Sequence, residues 1–128
     1  MRYFWFFCLS FLSGGSWANE VHIQYAQFHY AQGAWTVHVR VQHEDSGWEH
    51  YADAWRIVDE QGAVLGTRTL YHPHVDEQPF TRSLSGLQIP PDVQVVIVEA
   101  HDNVHGWSSD RLQVDLNRAS GERYQVLR

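Results

Sequence analysis

Trp35-Thr36-Val37-His38-Val39-Arg40-Val41-Gln42 sets the reading of the whole chain. Apolar residues take every second position and polar ones the positions between, the period of a strand with one buried face and one wet face. The same period recurs outward in both directions. Val21 to Tyr30 supplies a preceding strand, joined through the Gly33 turn. After Gln42, the residues Tyr51, Asp53, Trp55 and Ile57 mark a third strand, ended by Asp59-Glu60-Gln61-Gly62. Ala63 to Tyr71 runs back, Phe80 to Ile89 follows and stops at Pro90-Pro91, Val93 to Ala100 is the most apolar, and Trp107 to Leu116 closes the set. No sustained helical stripe interrupts them. Seven short strands with turn signals at regular spacing predict an all-β, antiparallel, seven-stranded sandwich.

The ends lie outside that pattern. Arg2 precedes an apolar run from Tyr3 to Leu12 and then Ser16-Trp17-Ala18, the layout of a signal peptide over residues 1–18 with cleavage before Asn19. The run is shorter than the roughly 20 residues that a membrane span needs. Cys8 lies inside it, which argues against a lipid anchor. The expected organisation is a signal peptide (1–18), a β-sandwich domain (19–118) and a C-terminal tail (119–128), in a periplasmic or secreted protein.

From Asn19 onward there is no cysteine, methionine or lysine. No disulfide can staple this domain, and thiolate chemistry is excluded. The whole chain carries a formal charge of −6 with no basic block, which argues against nucleic acid and anionic membrane as partners.

Successive antiparallel strands put alternate connections at the same end. The first, third and fifth connections are tight turns without histidine. The second, fourth and sixth are longer, and they hold His43 and His50, His72 and His74, and His101 and His105, six of the nine histidines. Glu44, Asp45, Glu49, Asp76, Glu77 and Asp102 accompany them. Loops at one end of a sandwich are the usual place for binding residues.

Imidazole is the commonest protein ligand for borderline metals. His72-Pro73-His74 offers two imidazoles on a stiffened chain, or a polar loop whose rings face water. His101 and His105 flank a turn in which Asp102 could ligate or orient a ring. His43 continues the inward phase of Val37, Val39 and Val41, so it also suits a core-edge position. The candidate ligands are His43, His50, His72, His74, His101, His105 and Asp102. The candidate ions are zinc, copper(II), nickel and iron, because no thiolate is present and the loops lack calcium's carboxylate spacing. His22, His29 and His38 fall on strands and read as surface residues.

Two Gly-Trp turns, Gly47-Trp48 and Gly106-Trp107, share this end. Their indoles could contact a partner or lid the sandwich, and the lid is the favoured reading. Asp53 shares the phase of Trp55, which predicts a bridge to Arg68 or Arg82. No Ser-His-Asp order, His-Glu-x-x-His helix or phosphate-binding loop is present.

The strand lengths, with Trp55 mid-strand and Val96-x-Val98-x-Ala100 before the last hairpin, resemble immunoglobulin and fibronectin-III domains. His72-Pro-His-Val-Asp-Glu-Gln-Pro-Phe-Thr-Arg-Ser-Leu84 is similar to a group of small exported bacterial proteins. His43, Glu49-His50-Tyr51 and Asn103-Val-His105-Gly106 resemble the iron-site loops of superoxide reductases, whose essential cysteine has no counterpart here. That resemblance implies a metal held at this pole. The expected function is an exported binding domain that captures a transition metal. The alternatives are a metal-free accessory domain that docks a periplasmic protein, and a metalloenzyme.

Overall fold

The computed structural model describes residues 19–128, so the expected signal peptide lies outside the described residues. Nine strands form two sheets. They are β1 (His22–Ala31), β2 (Ala34–Gln42), β3 (Ala52–Asp59), β4 (Val64–Thr69), β5 (Phe80–Leu87), β6 (Val95–Asp102), β7 (Gly106–Asp115), β8 (Ser120–Gly121) and β9 (Tyr124–Leu127). One sheet has the order β5-β2-β1-β9-β8 and the other β4-β3-β6-β7.

The alternation that predicts β2 is realised literally. Trp35, Val37, Val39 and Val41 are buried, while the residues between them are more exposed. Opposite them in the core stand Trp55 and Ile57 of β3, Val96, Val98 and Ala100 of β6, and Leu112 and Val114 of β7. At roughly 25 cal/mol per Å² of apolar surface removed from water, this aromatic and β-branched core takes the place of absent disulfides.

Two expectations need correction. The described residues form nine strands, and the arrangement is not purely antiparallel, because β9 pairs parallel to β1. Residues 119–128 are therefore no loose tail. Tyr124 and Val126 point into the core, and Ala26, Phe28 and their neighbours hold β9 in register. The segment is too short and too polar at its flanks to announce itself by periodicity.

The β2–β3, β4–β5 and β6–β7 connections do meet at one end. Asp45 of the first accepts a hydrogen bond from the backbone N–H of His74 in the second. The Asn103 side chain of the third accepts one from the N–H of Tyr51. Positive φ at Gly47 (133°) and Gly106 (80°) turns the chain at two of these connections.

Candidate metal centre

His43, His50 and Asp102 come together. Each offers one ligand atom, and the three atoms lie within 4.8 Å of one another. Strand phase brings them there. His43 lies one residue beyond β2 and keeps its inward direction, so its side chain is fully buried. Asp102 ends β6 facing inward and is 0% exposed. His50 closes the β2–β3 connection, where it forms an isolated bridge with Gly47.

Asp102 is the centre of the group. Its Oδ1 accepts from the backbone N–H groups of Val104 (2.9 Å) and His105 (2.7 Å). The rings of His50 (3.1 Å) and His105 (3.2 Å) approach the same oxygen. Its Oδ2 is buried and has no hydrogen-bond partner among the described residues. Burial alone would raise the Asp102 pKa, but the two backbone donors and the nearby His105 and His50 rings outweigh it and hold the pKa below the usual carboxylate value. A buried carboxylate oxygen without a partner is costly unless a cation or donor fills the place beside it.

His43 sits between two acceptors. Its Nδ1 is 2.6 Å from Asp45 Oδ1, and its Nε2 is 3.0 Å from the Asn19 carbonyl oxygen. Burial pulls its pKa down, yet the bonds to Asp45 and to the Asn19 carbonyl carry it above the ordinary histidine value. Asp45 is lowered in turn. Burial would raise it, but His43 and the N–H groups of His74 and Ala52 prevail. The rings of His43 and His50 meet edge to face at 4.6 Å, and those of His50 and His105 lie 4.9 Å apart. Exposure rises outward through the group, from the buried His43 side chain to 20% at His50 and 39% at His105.

The other candidates go elsewhere. The His74 ring stacks on Phe80 at 3.8 Å, and its Nε2 accepts from Arg82 at 2.7 Å. Burial, then the positive charge of Arg82 and of His72, depress its pKa. His72 is exposed beside it, with ring centroids 4.6 Å apart. His101 turns to the outer face of its sheet, bonds Asp53 through Nδ1 and meets Trp107 edge-on. The expected Asp53–Arg bridge is thus replaced by a histidine. A bulge between Ala52 and Ala54 shifts Asp53 out of the Trp55 phase. Arg68 instead bonds the Thr69 carbonyl, and Arg82 bonds the Thr81 carbonyl and His74.

Neither indole lids the core. Trp48 is 64% exposed, and Trp107 lies between the Arg56 guanidinium, 3.6 Å from its ring centroid, and His101. His22 and His29 are exposed, and His38 bonds Ser83 at the surface. Asp45 is not among the candidate ligands that the sequence names. Its position two residues after an inward-phased histidine was the available signal.

No protein-family model matches the chain. A protein of Halomicrobium mukohataei named "Putative lipoprotein" is 38% identical over 77 residues, which are 60% of this chain. The matched region spans 37% of that relative's length. Among solved structures, a superoxide reductase (neelaredoxin) from Archaeoglobus fulgidus matches over 78% of this chain and 89% of its own, at 12% identity and a TM-score of 0.43.

Proposed function

We propose that this protein is an exported β-sandwich domain, immunoglobulin- or fibronectin-III-like in its strand plan, that captures a transition-metal ion through His43, His50 and Asp102. One observation carries the reading: two imidazoles and a buried carboxylate offer ligand atoms within 4.8 Å of one another, and the carboxylate's Oδ2 has no hydrogen-bond partner among the described residues. Two imidazoles and a carboxylate suit zinc, copper(II), nickel or iron(II). His43, His50 and Asp102 would hold a bound ion in place of their present contacts, His43 Nε2 with the Asn19 carbonyl and His50 Nε2 with Asp102 Oδ1. His105 is exposed and its ring approaches Asp102 Oδ1, which makes it the candidate fourth ligand. His72, His74 and His101 play no part in the centre. The signal-peptide layout of residues 1–18 and the lipoprotein name of the relative support export to the periplasm or outside.

Metal analysis of the tag-free protein tests this directly. We expect one equivalent of metal and a melting temperature that rises with zinc, copper or nickel. Ligand at about 100 times its dissociation constant adds roughly 2.7 kcal/mol. Protein that carries no stoichiometric metal and whose melting point ignores all three ions would overturn the proposal. A second reading, docking of a periplasmic protein at this pole, draws on the exposure of Trp48, Tyr71, Val75 and Val104 there. Lowered binding of metal by His50→Ala would favour capture over docking.

A further inference from the structure

Asp45 stands behind the candidate ligands, and it is fully engaged. Its side chain is 0% exposed. Oδ1 accepts from His43 Nδ1 at 2.6 Å and from the Ala52 N–H at 2.9 Å. Oδ2 accepts from the His74 N–H at 2.8 Å. Those three donors belong to the end of β2, the start of β3 and the β4–β5 connection. Gln78 tightens the same junction, since its side chain accepts from the His43 N–H and donates to the His74 carbonyl.

A carboxylate can only accept, so the Nδ1 facing it carries the proton. In the neutral ring that a metal requires, Nε2 is then the only nitrogen with a free lone pair. Metal-binding histidines commonly give their other N–H to a carboxylate, which fixes the tautomer and the ring orientation. Resting on the metal-capture reading above, we infer that Asp45 is the positioning residue of the site: it holds His43 as the Nε2 ligand and fastens the His72–Pro79 connection to the same point. The connection that contributes no ligand thereby shapes the site from behind. Its histidines are exposed or turned away, but the backbone of His74 is part of the clamp.

The test uses tag-free protein and zinc as the probe. Long-range nitrogen–proton NMR of the zinc-loaded wild type should show His43 bound through Nε2 with a proton retained on Nδ1. Zinc on Nδ1 would sink the inference. Asp45→Asn keeps the size and one acceptor oxygen, but places an amide N–H₂ against the His74 N–H. We expect its zinc affinity, by chelator competition, to fall about 10–100-fold. In the zinc-loaded variant the His43 Nδ1–H signal should also move, because a neutral amide replaces the carboxylate it faces. Wild-type affinity in a folded Asp45→Asn protein would overturn the inference, as would weakened affinity with unchanged His43 shifts. If Asp45→Asn does not fold, the wild-type nitrogen assignment decides alone. A wild type that binds no zinc, copper or nickel defeats the metal reading itself, which a failure confined to His43 or Asp45 does not.

Discussion

The His43–His50–Asp102 group and the His72-Pro73-His74 segment occupy the same end of the molecule and are rich in the same side chain, yet their chemistry differs. In the first, the rings stand about a carboxylate with one oxygen that has no partner among the described residues. In the second, the His74 ring is stacked on Phe80 and faces a guanidinium. A cation next to an imidazole repels a metal ion as well as a proton, and an anion attracts both. What separates a candidate ligand from a packing residue here is the sign of the neighbour, not the number of histidines.

The largest expected effect is on metal affinity. Asp102→Asn keeps an oxygen for the N–H groups of Val104 and His105 but removes the charge. Zinc affinity should fall by roughly a hundredfold or more, at or beyond the top of the range for an outer partner. His72→Ala should leave affinity unchanged. Titration with zinc in a competing chelator checks both, and equal losses from the two would erase the contrast between the regions. A smaller effect is expected on stability. His74→Ala removes a stacked ring and exposes Arg82 and Phe80, so it should cost about 1–3 kcal/mol in urea unfolding. Its metal affinity should stay close to wild type.

The pH dependence of the apo protein sharpens the same comparison, because the two buried histidines shift in opposite directions. The His43 pKa is raised in the fold, so its contribution is complete below its unfolded value near 6.5 and is lost as pH rises through the folded value. The His74 pKa is lowered, so its contribution is present above 6.5 and is lost as pH falls through the folded value. In wild type the two oppose each other around neutrality. Removing His74 should leave an apo protein that loses stability as pH climbs above 6.5. His43→Gln should leave one that loses stability as pH drops below 6.5. Denaturant midpoints from pH 5 to 8 check the signs, and parallel curves for the two variants would refute the assignment. Asp45 and Asp102, both lowered, act only on acidification below about 3.8.

Much of this architecture is legible in the residues. Period two marks the seven long strands, and the parity of their connections brings the three histidine-bearing loops to one end. What escapes the sequence is set by single-residue irregularities and by neighbours distant along the chain. The bulge at Asp53 reverses the direction of one side chain and trades an arginine partner for His101. Tyr124 to Leu127 becomes a strand only because β1 offers it a free edge. The sorting of the histidines depends on where Asp45, Asp102 and Arg82 come to rest, and no local pattern encodes that.

Trp48 gives the smallest expected effect, and the one most sensitive to how this end of the molecule is built. Gly47, at φ 133°, turns the chain where the indole comes to face water beside Tyr51, ring centroids 5.5 Å apart. An indole that lids a core costs about 3–5 kcal/mol on truncation to alanine. One that is 64% exposed has little packing to lose. Trp48→Ala should therefore change unfolding free energy by no more than about 0.5 kcal/mol and leave zinc affinity intact. A loss of several kcal/mol would mean that the indole packs over the His50 end of the sandwich in solution. The candidate centre would then be covered on the side where its histidines are most exposed.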